Sequence, residues 1–151
     1  MTQVTFYLLE NNQQTAEQFA CRLVEKAWRD GLPMYIHTEN ENSAKTIDKL
    51  LWSWREDSFL PHTLLHAESN TSQETDTLLK LSPITIGHTT PVLQHNYLLI
   101  NLSETSPSFF KQFARVCEIV VLSPDQRSVS RNKFRAYKQS GIEPEVHNIP
   151  M

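Results

Sequence analysis

The chain has 151 residues, of which 39% are hydrophobic, and it carries a formal net charge of −3. A chain of this size is expected to form one domain, residues 1–151, that buries about two-thirds of its unfolded surface. The negative charge argues against sequence-independent binding to duplex nucleic acid. No apolar run approaches the ~20 residues of a membrane span, and the first residues lack a basic targeting region, so we expect a cytoplasmic protein.

The first half of the chain alternates between strand and helix patterns. Residues 4–9 form an apolar, aromatic run typical of a strand, and the capping box Thr15-x-x-Gln18 predicts the start of a helix. Residues 33–38 then predict a second strand. Strand, helix and strand with short joints indicate an open α/β sheet, mostly parallel and flanked by helices, with a Rossmann-like topology.

The second half continues the same pattern with shorter elements. A helix is predicted at about residues 43–54, and strands are predicted at 84–87 and 97–102. Nine residues between those strands are few for a helical crossover, so one of the two strands is expected to run antiparallel. The last predicted strand spans residues 118–122.

The sequence predicts no cofactor or metal. The turn after the first strand, residues 10–14, contains no glycine, and neither GxGxxG nor GxxxxGK[ST] occurs, so no phosphate-binding loop is present. His62 and His66 lack a cysteine or carboxylate at ligand spacing. Cys21 and Cys117 lie within apolar patterns, and we interpret both as small core residues.

A stripe of basic residues stands out near the end of this acidic chain. Arg127, Arg131 and Arg135 recur every four residues, and Lys138 continues the stripe. Residues 125–139 contain five basic residues and one acid, a charge of +4 that leaves −7 for the remainder. Ser-Pro at 123–124 and Gly141 are typical of a helix start and end, so the stripe follows one helix face.

Phe134 borders this stripe at helical spacing. A bulky apolar group beside forked guanidinium donors suits a ligand that has both a carboxylate and a hydrophobic end. The alternative is a solvated basic face without a ligand.

Trp52 lies about 100° from Leu51 on the predicted second helix, which places it on the polar side. One interpretation joins it to Phe59, Leu60 and Pro61 in the next loop as an exposed apolar patch that meets a partner. The alternative is that the last turn rotates and the loop covers the tryptophan.

Three segments are distinctive when taken together: VTFYLL at residues 4–9, LW to DSFLPH across residues 51–62, and RNKFRAY at residues 131–137. Together they resemble the chi subunit of bacterial DNA polymerase III. Their order and the chain length agree with that family. The resemblance implies a noncatalytic subunit that pairs with the psi subunit of the clamp loader complex. It also implies binding to the acidic C-terminal tail of single-stranded DNA-binding protein, which ends in a phenylalanine carboxylate, so that contact with single-stranded DNA is only indirect.

The resemblance also assigns residues to both surfaces. By position, the family's tail-binding helix corresponds to Arg127, Arg131, Phe134 and Arg135. The psi-binding patch corresponds to Trp52, Phe59, Leu60 and Pro61. Tyrosine is familiar in chi where this chain has Phe134, so a hydrogen bond from that hydroxyl is absent. A helicase is a further candidate partner for the Trp52 patch. A nucleotide-binding α/β enzyme and a direct binder of single-stranded nucleic acid are the alternative functions.

Overall fold

A computed structural model describes residues 2–9, 15–53, 62–64, 84–88, 98–121 and 124–149 of the chain. Within these ranges the chain forms seven strands, three α-helices and a 3₁₀ turn. The strands are β1 (Gln3–Leu9), β2 (Met34–His37), β3 (His62–Leu64), β4 (Ile84–Gly87), β5 (Leu98–Asn101), β6 (Arg115–Val121) and β7 (Glu145–Ile149). The helices are α1 (Ala16–Arg29), α2 (Glu41–Trp52) and α3 (Pro124–Gln139), and the 3₁₀ turn is Phe110–Gln112.

The strands form one open sheet in the order β3-β4-β2-β5-β6-β1-β7, and each neighbouring pair is parallel. The predicted α/β class is confirmed, but the expected antiparallel strand is wrong. β4 and β5 lie on opposite sides of β2 and both run parallel to it. Ten residues, 88–97, join them. They reach up to ~33 Å, which is ample for strands only ~13 Å long.

Side chains alternate between the two faces of the sheet, and each face carries its own helices. The face under α1 and α2 is mainly aliphatic, with Ile36, Ile84 and Ile100 among its buried residues. The opposite face lies under the 3₁₀ turn and α3 and includes Phe6 and Tyr35. The molecule therefore has three layers, with α3 alone among the three helices on the aromatic face.

The local signals at the helix ends act as the sequence predicts. In α1 the Gln18 amide donates to Thr15 Oγ1 and the Thr15 amide donates to Gln18 Oε1, both at 3.1 Å. Gly31 and Gly141 follow α1 and α3 with φ of 74° and 86°. Helix α2 begins two residues earlier than predicted, because the Asn40 side chain caps it by accepting from the Ser43 amide at 2.9 Å.

The end of α3 is fixed to the core. The Gly141 amide donates to the Lys138 carbonyl, and the Ile142 amide donates to the Tyr137 carbonyl. This pair of bonds is a Schellman motif, and Ile142 packs on the aromatic cluster beneath it. The chain then enters β7, a strand that the sequence analysis did not predict, which pairs with β1 at the edge of the sheet. Helix α3 therefore crosses from β6 to β7 over β1.

Candidate functional site

A pocket of about 410 Å³ opens between α3, β1 and the edge strand β7. Its volume is within the usual range of ~300–1,000 Å³ for small-ligand sites. The side chains that line it come from β1, α3 and β7: Phe6, Leu8, Ser130, Arg131, Phe134, Arg135, Lys138 and Val146. The crossing of α3 over β1 thus brings residues that are far apart in sequence to one concave surface.

The floor of the pocket is aromatic. The ring centroids of Phe6 and Phe134 are 5.5 Å apart, with the rings tilted by 58°. Phe6 is buried, whereas Phe134 is only half-buried and presents apolar surface to the pocket. Val146 adds an exposed aliphatic side chain from β7. Such a floor favours an apolar ligand group, because each buried Å² of apolar surface contributes ~25 cal/mol.

The rim of the pocket is basic. Arg131 and Arg135 lie one helical turn apart on α3, and both side chains are exposed. Neither guanidinium has an ion-pair or hydrogen-bond partner among the residues that the structure describes. Lys138 Nζ lies 5.1 Å from the centroid of the Phe134 ring, and it is 3.5 Å from Glu143 Oε1. The two arginines therefore offer forked donors to an anionic group held above the aromatic floor.

The structure brings together three of the four residues predicted for this site: Arg131, Phe134 and Arg135. The backbone of Arg127 belongs to the same helix, one turn before Arg131. Its side chain lies outside the part of the chain that is described, so its place in the site stays a prediction.

The buried side of α3 is also charged. Glu118, in the middle of β6, is completely buried and accepts from Lys133 Nζ at 3.1 Å and from Asn101 Nδ2 at 2.8 Å. The Tyr137 hydroxyl also donates to this carboxylate. Burial raises the pKa of the Glu118 carboxyl, and the Lys133 ammonium opposes that rise. Burial, followed by the Glu118 charge, raises the pKa of Tyr137, so its hydroxyl remains a donor.

Trp52 is on the other side of the sheet, at the end of α2. The residue is 57% exposed, in agreement with the outward orientation predicted from its helical position. The loop that the alternative places over the tryptophan lies outside the described residues. Phe59, Leu60 and Pro61 lie outside the described residues. Whether they form one patch with Trp52 therefore stays a prediction.

Both cysteines are buried and free, as the sequence predicted. Burial raises the pKa of Cys21 to about 12 and that of Cys117 to about 11, so neither thiol ionises near neutral pH. Across the described ranges, no three side chains of His, Cys, Asp or Glu converge as a metal site would require. None of the helices described above has the length and hydropathy needed to cross a membrane.

The family model for the DNA polymerase III chi subunit, HolC, matches residues 1–145. The chain belongs to this family. It is 37% identical to the DNA polymerase III subunit chi of Pseudomonas aeruginosa, with 99% of both chains covered. It is 30% identical to the chi subunit of Haemophilus influenzae, with 95% of both chains covered. The chi subunit of Escherichia coli K12 is 26% identical, over 94% of this chain and 95% of that one. The resemblance seen in the sequence is confirmed.

Two features of this region were not predicted from the sequence. Lys133 is buried against Glu118, although its charge was counted in the basic segment. The available signal was Glu118 itself, a lone carboxylate within an apolar strand that needs a buried partner. Phe6 and Val146 also line the pocket. These two side chains reach the pocket only because β7 pairs with β1, and no local sequence pattern predicts that pairing.

Proposed function

We propose that the chain is a noncatalytic accessory subunit of DNA polymerase III that links the polymerase to coated single-stranded DNA. In this role it binds the acidic C-terminal tail of single-stranded DNA-binding protein in the pocket under α3. The observation that carries the proposal is the combination of two exposed arginines, Arg131 and Arg135, with an aromatic floor beneath them.

The geometry fits a peptide end better than an internal acidic segment. The terminal carboxylate is held by Arg131, which occupies the middle of the stripe, with Arg127 and Arg135 in support. The terminal phenylalanine ring packs against Phe134 and the apolar wall that Val146 provides. Acidic residues that precede the end face a rim that carries net positive charge. A concave, apolar and basic site of this kind recognises a carboxylate together with a ring.

A second surface pairs with the psi subunit, which ties the protein to the clamp loader. Trp52 supports this part of the proposal, because a 57% exposed tryptophan on a helix is the kind of side chain that anchors interfaces. Trp52 belongs to the α1 and α2 side of the sheet, whereas the pocket belongs to the α3 side. One molecule can therefore hold both partners at once.

Calorimetry with three peptides at one fixed salt concentration tests the pocket. The first is an acidic peptide that ends in Pro-Phe with a free carboxylate, the second has an amidated end, and the third ends in Ala. We expect each change to weaken binding at least about tenfold, or roughly 1.4 kcal/mol. Equal binding of all three peptides would indicate that the site is only a diffuse basic face. Such a face attracts any acidic chain, and salt strongly screens that attraction.

Two further titrations separate the adaptor from the alternative functions. A direct nucleic-acid binder is expected to bind naked single-stranded DNA with a steep salt dependence. A nucleotide-dependent enzyme is expected to gain thermal stability from nucleotides with magnesium. The adaptor predicts neither response, so a clear response in either titration would contradict it.

A further inference from the structure

The binding helix α3 is held by a charged network instead of apolar contacts alone. Lys133 and Tyr137, one turn apart on α3, both bind the buried Glu118 carboxylate of β6. Asn101 of β5 donates its Nδ2 to both carboxylate oxygens, at 3.0 and 2.8 Å. Every member of this group is buried, with Lys133 only 6% exposed. Burial of the two charges carries a desolvation penalty, so this ion pair is weak evidence for stability, and fixing one arrangement of α3 is an alternative role that can be tested.

The network continues into β5 and the loop that follows it. The Asn101 side-chain oxygen accepts from the Ser103 amide at 3.1 Å and from the Ser103 hydroxyl at 2.6 Å. Asn101 Nδ2 also donates to the Thr105 carbonyl at 3.0 Å. The Asn101 amide is therefore fixed on both sides, and it fixes the carboxylate to which α3 is attached.

The same network reaches the floor of the pocket through aromatic contacts. The Tyr137 ring packs edge-on against Phe6, with centroids 5.9 Å apart and an interplanar angle of 81°. Phe6 in turn packs against Phe134 at 5.5 Å. The residue that donates its hydroxyl to Glu118 thus supports the ring on which Phe134 rests.

The rotation of α3 about its axis decides where its arginines point. Each residue advances the helix by ~100°, so Lys133 and Tyr137 face the sheet while Arg131 and Arg135 face the pocket. Apolar contacts are not directional and tolerate small rotations and shifts. A charge-assisted hydrogen bond at 3.1 Å between Lys133 and Glu118 fixes both distance and direction.

We propose that Lys133 and Glu118 are positioning residues for the peptide site, which they serve by fixing the rotation of α3. This inference rests on the proposed function. Neither side chain touches the pocket, and both act through the placement of Arg131, Phe134 and Arg135.

The test compares Lys133→Met with Ile47→Ala, a control on the opposite face of the sheet. Ile47 is 1% exposed in α2 and contributes to the aliphatic cluster, so its truncation lowers stability without touching α3. Both variants are assayed at a temperature at which circular dichroism shows them folded. Lys133→Met is expected to weaken binding of the free-carboxylate peptide at least about fivefold, because a contact that supports the site is lost. Ile47→Ala is expected to bind the peptide as the unaltered protein does.

Two additional variants separate positioning from general stability. In the double variant Lys133→Met and Glu118→Gln, both charges are removed while the amide oxygen at position 118 still accepts from Asn101 and Tyr137. This variant is expected to be more stable than Lys133→Met alone, because no uncompensated buried charge remains. Positioning predicts that this double variant still binds the peptide weakly. Tyr137→Phe removes only the hydroxyl, and it provides the measurement if Lys133→Met fails to fold. Tyr137→Phe is expected to weaken peptide binding about threefold, because the hydrogen bond to Glu118 is lost.

The outcomes distinguish the two proposals. Peptide affinity within twofold of the unaltered protein in Lys133→Met, or an equal loss in Ile47→Ala, overturns the positioning role alone. The role is also overturned if affinity returns together with stability in the double variant. Absence of peptide binding by the unaltered protein overturns the proposed function, and the positioning role with it.

Discussion

The two faces of the sheet present different kinds of surface. On the α3 face, an aromatic cluster ends in an open pocket with a basic rim. On the α1 and α2 face, an aliphatic cluster is well covered, and the α2 end carries the exposed Trp52. The concave surface suits the end of a chain, whereas an exposed tryptophan suits a groove on a partner. In the proposed function, one face of the sheet recognises a peptide end and the other pairs with a folded subunit.

The faces also differ in how their helices are fixed. Helix α2 buries Ala44, Ile47 and Leu51, all of them apolar. Helix α3 buries Tyr137 together with Lys133, whose charge is matched by Glu118. Aliphatic packing gives stability with little demand on orientation, while the charged contact imposes one orientation. The face that carries the pocket therefore has the more directional support.

The largest expected effect is that of Tyr137→Ala. This side chain is completely buried, packs against Phe6 and Phe110, and donates to Glu118. Its truncation should lower the free energy of unfolding by about 3–5 kcal/mol and remove peptide binding as the pocket floor collapses. Denaturant unfolding and fluorescence anisotropy measure the two effects.

The counterpart of Tyr137→Ala on the other face is Leu51→Ala. Leu51 is 1% exposed, and its truncation should lower the free energy of unfolding by about 2–5 kcal/mol. Peptide affinity is expected to be unchanged while the protein stays folded. If Tyr137→Ala bound the peptide normally, the aromatic cluster would have no part in recognition.

The next effect concerns the partner at the Trp52 patch. Trp52→Ala and Phe59→Ala should each abolish co-purification with a psi-like subunit, since loss of an interface anchor costs about 2–4 kcal/mol. Peptide affinity should stay nearly intact because distant sites act almost additively. Parallel losses of partner and peptide in variants shown to be folded by circular dichroism would refute two separate surfaces.

Arg131→Ala should weaken binding of the tail peptide by roughly 1.5–3 kcal/mol, which is the cost of a lost charge-assisted hydrogen bond. Lys45→Ala is the matched control, because it removes one exposed basic residue from α2 on the other face. Anisotropy of a labelled peptide compares both with the unaltered protein. If Arg131→Ala leaves the peptide affinity unchanged, α3 takes no part in peptide binding. An equal loss of affinity in both variants would indicate nonspecific attraction.

Much of the fold could be predicted because its signals are local. The Thr15 capping box, the glycines after α1 and α3, and the apolar strand runs all reappear in the structure. The direction of β4 and β5 could not be predicted from the length of their connection, because β2 lies between them. Strand order is a non-local property, and a short strand needs only a short return path.

The site divides in the same way. Helical periodicity was enough to place Arg131, Phe134 and Arg135 on one face, since all of them belong to one element. Periodicity alone did not predict the burial of Lys133, which depends on a carboxylate fifteen positions earlier, in strand β6. Val146 could not be identified either, because β7 is short and weakly patterned and its role arises from pairing with β1.

The smallest expected effect comes from Glu143→Gln. Glu143 Oε1 lies 3.5 Å from Lys138 Nζ, and both side chains are at least half exposed. In the proposed complex, the Glu143 carboxylate competes with the acidic tail for Lys138 and also repels the tail. Neutralising Glu143 should therefore strengthen peptide binding, although solvent screening limits the gain to about threefold or less. Glu41→Gln, which removes the partner of Lys45 on the other face, is the control and should have no effect. Calorimetry at low and high salt measures the peptide affinity of both variants. The gain in affinity of Glu143→Gln should shrink as salt rises. Weaker binding by Glu143→Gln would instead show that the ion pair helps to hold Lys138 in place for the ligand.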